Sequence, residues 1–119
     1  MTRTVLLVED DDLKARVVTR VIEKHGLVVE RVTNVRDAVR AWTIGGPFVA
    51  VVTDWMFPTS AGGQPGRNGH IVYELFANSP RAVPTVVVSG SSPEPGYTWI
   101  NALELLGELR AWLERNVKR

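Results

Sequence analysis

The chain has 119 residues, 14 of them Lys or Arg and 13 Asp or Glu, for a formal net charge of +1. That length supports one core and leaves no room for a second domain of ordinary size, so a single domain spanning residues 1–119 is expected. The near-neutral balance offers no overall field for nucleic acid or an anionic membrane. The lack of cysteine removes disulfides, thiolate metal sites and thiol nucleophiles. No apolar run approaches the length of a membrane span and the N-terminus lacks the pattern of a secretory signal, so a soluble, unprocessed, cytoplasmic chain is expected.

Residues 5–8 form the first of four short, nearly continuous β-branched runs, the others being 27–32, 48–53 and 85–89. Runs without alternation suit strands covered on both faces. After the first run, Leu13, Val17, Val18, Val21 and Ile22 fall on one side of a helix that Gly26 can end. After the second, Val35, Ala38, Val39 and Trp42 repeat at helical spacing until Gly45, Gly46 and Pro47 interrupt. Between the third and fourth runs, Ile71, Val72, Leu75 and Phe76 make a third apolar stripe, with Asn68 near its start and Pro80 beyond its end. Leu105, Leu106, Leu109, Trp112 and Leu113 mark a C-terminal helix, and residues 97–100 are the remaining candidate for a fifth strand. Strands alternating with helices predict an α/β fold with a parallel sheet, because parallel strands need crossover connections.

Two connections depart from the pattern. Residues 58–69 form a long segment containing Gly62, Gly63, Pro65, Gly66 and Gly69, unlike the short loops of compact α/β domains, and mobility is expected there. Residues 90–96, with Pro93 and Pro95, stand where a crossover helix before the last strand belongs. That fourth helix is expected to be shortened or missing.

Glu9, Asp10, Asp11 and Asp12 follow the first strand directly, and Asp54 follows the third. Ligands of open α/β sheets bind beyond the carboxyl ends of strands, where the winding reverses. If the first and third strands are neighbours, these acids share a cleft, and clustered carboxylates call for a cation such as Mg2+. Each residue also has an ordinary reading. Asp11 and Asp12 suit the capping and first turn of a helix. A lone Asp54 suits a turn, and a strand-end Ser89 can satisfy local backbone. The combination is more specific than its parts.

The order and spacing of these features resemble the receiver domain of two-component response regulators over nearly the whole chain. Residues 5–10, Val-Leu-Leu-Val-Glu-Asp, are similar to its first strand and acidic pair, and residues 54–58, Asp-Trp-Met-Phe-Pro, to its phosphoacceptor segment. Residues 85–90, Thr-Val-Val-Val-Ser-Gly, are similar to its fourth strand with a hydroxyl and a small residue, and Asn68-Gly69 to the start of its third helix. The resemblance implies a doubly wound, five-stranded, CheY-like sheet of order 2-1-3-4-5. It further implies that Asp54 accepts a phosphoryl group from a phosphohistidine. Asp10, Asp54 and the backbone carbonyl of Met56 would ligate Mg2+, Glu9 would act nearby or through water, and Ser89 would hydrogen-bond a phosphoryl oxygen. The implied partners are a histidine kinase or phosphotransfer protein and a downstream protein target, with a homodimer also compatible; such a domain catalyses at most its own phosphorylation and dephosphorylation.

One departure bears on the chemistry. The family carries a lysine at the end of its fifth strand, and no lysine stands there: Lys14, Lys24 and Lys118 are the only three in the chain. Thr98 and Trp99 lie nearest that place when the final helix is aligned, and Tyr97 or Trp99 nearest the family's switch aromatic. Losing that ammonium weakens the stabilisation of phosphoryl charge. Lys14 or Arg67 could substitute, but each reads first as a solvated surface charge. His25 and His70 are not spaced as a ligand pair. The missing lysine and helix therefore keep open a pseudo-receiver that binds proteins without phosphate. A magnesium-dependent phosphohydrolase would need a general acid and a substrate cap, and neither is recognisable in the sequence.

Overall fold

The computed structural model describes residues 3–78, 82–90, 93 and 95–117. Five parallel strands form one sheet: β1 (Thr4–Val8), β2 (Val28–Val32), β3 (Ala50–Thr53), β6 (Thr85–Ser89) and β7 (Trp99–Asn101). Their order, β2-β1-β3-β6-β7, is the expected 2-1-3-4-5 arrangement once a separate two-stranded ribbon, β4 (Met56–Phe57) with β5 (Gly66–Arg67), is set aside. The helices are α1 (Asp12–Lys24), α2 (Val35–Ile44), α3 (Gly69–Ala77) and α4 (Leu105–Asn116), the last entered through a 3-10 turn at Ala102–Glu104. Among the described residues, four helices surround the sheet in the expected doubly wound arrangement.

The continuous apolar runs are explained by burial on two faces. Successive strand residues point to opposite sides. Val5 and Leu7 of β1 join Val18, Ile22, Leu109 and Leu113 under α1 and α4. Leu6 and Val8 join Ala38, Val72 and Phe76 under α2 and α3. β2 differs from the expectation: as an edge strand it is largely exposed, and Val28 is 46% accessible. The helical stripes are also narrower than their apolar residues suggest. Leu13 and Leu106 face outward, and α1 buries Ala15 instead.

Between β6 and β7 the described residues, Gly90, Pro93 and 95–98, contain no helix, in keeping with the predicted loss. Residues 91, 92 and 94 of that stretch, together with Pro80 and Lys118, lie outside the described residues. The aromatic side chains near this gap pack edge to face. Tyr97 lies 5.1 Å from Trp55 and 5.0 Å from Tyr73, ring centre to ring centre.

The long 58–69 connection contains β5, and its first residues are tied to α2. The amides of Val35 and Arg36, two of the donors that a helix start leaves without an intrahelical acceptor, bond to the carbonyls of Pro58 (3.1 Å) and Thr59 (2.9 Å). Asn34 caps the same helix through the Asp37 amide at 2.9 Å. At the other end of the connection, the Gly69 amide donates to Trp55 O at 3.0 Å. A Cβ on Gly69 would come within 2.6 Å of Asp54 O and 2.8 Å of Trp55 Cα, so only glycine lets α3 approach the β3 terminus this closely.

Gly69→Ala is therefore expected to cost about 1–3 kcal/mol of stability through overpacking. Urea unfolding measures the loss, and a change under ~0.5 kcal/mol would show that the contact yields without strain.

Candidate functional site

The site lies where the sheet reverses its winding. β1 pairs on one side with β2 and on the other with β3, and the carboxyl ends of β1 and β3 are level, with Val8 opposite Thr53. The next residue of each strand is held by a neighbour's carbonyl. Glu9 N donates to Val32 O at 3.0 Å and Asp54 N to Val8 O at 2.9 Å. This backbone arrangement brings Glu9, Asp10 and Asp54 together, with one carboxylate oxygen from each within 4.8 Å of the others. Glu9 is buried, and Asp10 and Asp54 are partly exposed.

Asp11 is the N-cap of α1, its Oδ1 accepting from Leu13 N (2.9 Å) and Lys14 N (3.2 Å). Asp12 is exposed in the first helical turn and pairs with Arg31 at 2.9 Å. Both follow the ordinary capping chemistry expected of them and stand apart from the three-acid cluster. Ser89 ends β6, buried, and its carbonyl accepts from Trp99 Nε1 at 3.2 Å. Met56, which follows the Asp54–Trp55 turn, is exposed and pairs with Arg67 across the β4–β5 ribbon. His25 is buried near the opposite end of α1, with Nε2 3.0 Å from Val117 O, and His70 lies 6.0 Å from the Trp55 ring. The two histidines are not brought together.

Lys14 is not the solvated surface charge that its place in the sequence suggests. Its ammonium is 3.0 Å from Glu9 Oε1, 3.1 Å from Asp54 Oδ1 and 2.7 Å from Val88 O, with the side chain only 18% exposed. One signal was available beforehand. A cation in the first turn of a helix opposes the helix dipole, and such a placement needs a compensating anion nearby. Arg67 is exposed on β5 and forms no ion pair with the acids among the described residues.

The alignment of Thr98 or Trp99 with the family's lysine position is corrected by the register. Trp99 lies opposite Val87, and Asn101 lies opposite Ser89 at the carboxyl end of β7. Thr98 precedes the strand, its hydroxyl near Tyr73 Oη at 3.1 Å. The last residue of β7 is Asn101, whose side chain accepts from Leu103 N and caps the 3-10 turn. The 3-10 turn at Ala102–Glu104 separates β7 from α4.

The electrostatics follow from burial. Glu9 is pushed up to about 7, first by loss of solvation and then by the Asp54 charge, against the opposing pull of Lys14. The three acids suit a hard, oxygen-seeking dication, so the donor set fits magnesium. The Asp54 Oδ1 atom carries both the Lys14 contact and a 2.7 Å bond from Trp55 N, neither of which engages Oδ2.

No family model and no curated protein matches the chain. Solved structures do match along almost all of it. A sensor protein from Polaromonas sp. JS666 is 23% identical, covering 96% of this chain and 94% of its own, with a TM-score of 0.73. A CheY-like receiver domain from Methylobacillus flagellatus is 19% identical over 97% and 98%, TM-score 0.74. The phosphorylated cyanobacterial phytochrome response regulator RcpA is 16% identical over 99% and 96%, TM-score 0.74. At these identities the likeness is one of fold.

A carboxyl group whose folded value lies near 7 holds its proton between about 4.5 and about 7 while the unfolded chain releases it. In that window the folded state binds more protons, so Glu9 makes stability fall as pH rises. Urea unfolding of the metal-free protein across the window should show this slope in wild type and a flatter one in Glu9→Gln. Identical slopes would contradict the burial argument.

Proposed function

We propose that this protein is a two-component receiver domain that accepts a phosphoryl group on Asp54 from the phosphohistidine of a partner kinase or phosphotransfer protein. The observation that carries the reading is the convergence of Glu9, Asp10 and Asp54 at the β1–β3 switch point, with an ammonium against the acceptor carboxylate. In the reaction, an Asp54 oxygen forms a bond to phosphorus as the P–N bond to the donor imidazole breaks. The imidazole nitrogen keeps the electron pair and takes a proton from solvent. Oδ2 is the oxygen suited to attack, because Oδ1 is already held by Trp55 N and Lys14.

Asp10, Asp54 and the Met56 carbonyl would hold magnesium, with Glu9 alongside; when bound, the ion neutralises charge shared between the carboxylates and a phosphoryl oxygen. Ser89, at the end of β6, would donate its hydroxyl to a phosphoryl oxygen. Burial keeps Glu9 from adding a full negative charge near neutral pH. The acyl phosphate would then bias the domain towards a conformation read by a downstream protein.

A second reading, a phosphate-independent protein-interaction module, is favoured by one observation. Lys14 already supplies an internal counter-charge to Glu9 and Asp54, so the acids are compensated without metal or phosphate.

Incubation with acetyl phosphate and Mg2+, read by phosphate-affinity electrophoresis and intact mass, tests the choice. Wild type should gain one acid-labile phosphoryl group and Asp54→Asn should fall at least ~100-fold, the scale of losing the nucleophile. Asp10→Ala should weaken calorimetric Mg2+ binding by at least ~10-fold, about 1.4 kcal/mol. Equal labelling of wild type and Asp54→Asn removes the acceptor assignment, and no labelling of wild type selects the interaction module.

A further inference from the structure

Three strand ends meet at one ammonium. Lys14 Nζ touches Glu9 after β1, Asp54 after β3 and the carbonyl of Val88 in β6, at 3.0, 3.1 and 2.7 Å. Among the described residues it is the only cation in an ion pair with any of the three clustered acids. The nearby guanidinium of Arg31 is directed elsewhere, its Nε to the Glu9 carbonyl at 2.9 Å and its NH1 to Asp12 at 2.9 Å. At the end of β7, opposite Ser89, stands the uncharged Asn101.

We propose that Lys14, delivered from the first turn of α1, is the ammonium that neutralises the phosphoryl group on Asp54, in place of a lysine from the last strand. The inference rests on the phosphoacceptor reading of Asp54. A phosphoryl group on an Asp54 oxygen adds negative charge within a few ångströms of Nζ, and a charge-assisted hydrogen bond forms with little reorganisation. The Val88 contact directs the ammonium to that side. Val88 O belongs to the peptide leading into Ser89, so the ammonium stands beside the residue proposed to bind another phosphoryl oxygen.

The same position gives Lys14 a second, opposite effect. In the resting protein it lies against Asp54, one of the carboxylates that would ligate magnesium, and against Glu9 beside it, so it repels the dication and occupies their oxygens. Removing it should tighten metal binding while slowing phosphorylation. A lysine that merely braces the fold would produce neither of these paired changes.

The test compares wild type, Asp54→Asn, Lys14→Gln, Lys14→Arg and the double variant Lys14→Gln with Asn101→Lys. Acetyl phosphate labelling and Mg2+ calorimetry are measured on each, with circular dichroism as the check of folding. Lys14→Gln should label about 10- to 100-fold more slowly, the range for loss of one hydrogen bond to a charged group. It should also bind Mg2+ several-fold more tightly. Lys14→Arg should fall between Gln and wild type, because the charge is kept in a different shape. The double variant should recover labelling, since its new ammonium enters opposite Ser89.

Wild-type labelling rates in Lys14→Gln, with Asp54→Asn unlabelled, would overturn the role of Lys14 and leave the acceptor standing. Slow labelling with unchanged Mg2+ affinity in a folded Lys14→Gln would also overturn it. If Lys14→Gln fails to fold, a folded Lys14→Arg that labels no faster than Asp54→Asn would do the same. Wild type that is unlabelled, or labelled equally with Asp54→Asn, overturns the acceptor reading and this inference together.

Discussion

Glu9 and Asp54 leave adjacent parallel strands and meet with a lysine ammonium between them, and the carboxyl end of the sheet is organised around that contact. A buried carboxylate without a partner costs several kcal/mol, and two facing each other cost more. The structure offsets this in two ways. Lys14 supplies a positive charge to both acids, while burial and the Asp54 charge raise the Glu9 carboxyl towards neutrality. The helix that carries Lys14 is in turn started by Asp11, whose side chain caps the amides of Leu13 and of Lys14 itself. The first turn of α1 is thereby held against the site from both its backbone and its side chain.

Parallel pairing places the relevant residues at a common level. β3 is the centre of the sheet, and its terminal residue precedes Asp54; the glycine at the head of α3 lies against the Asp54 backbone with no room for a side chain. Asp54 therefore contacts α1 through Lys14 and lies against α3 at Gly69. The described residues between β6 and β7 form no helix, and there Tyr97 packs on Trp55 and Tyr73, while Tyr73 Oη accepts from Thr98 N at 3.2 Å. Aromatic packing thus links the residue after Asp54 to the segment entering the last strand.

Much of this was legible from local patterns, because the patterns record strong constraints. Unbroken β-branched runs at β1, β3 and β6 reflect burial on two faces, and Gly26, with φ of +85°, ends α1 as its place in the sequence suggested. The convergence of Glu9, Asp10 and Asp54 could be read because acids directly after buried strands must emerge at the sheet's carboxyl end. The exposure of β2 was hidden, since Val28 and Val29 have the composition of a covered strand and only the sheet order makes them an edge.

The sequence by itself determined the alternation of strands and helices, the chain-breaking residues before the last strand and the identity of the acids. These depend on hydrophobic periodicity, chain-breaking residues and the direction in which a parallel strand ends, all of which are local. Tertiary structure decided where the cation comes from. Whether Lys14 meets water or three acceptors depends on residues that are 5, 40 and 74 positions away in sequence, at Glu9, Asp54 and Val88. It likewise decided that Asn101, and not Thr98, stands opposite Ser89, because strand register follows from pairing between distant segments and a short 3-10 turn can shift it without changing the pattern of apolar residues.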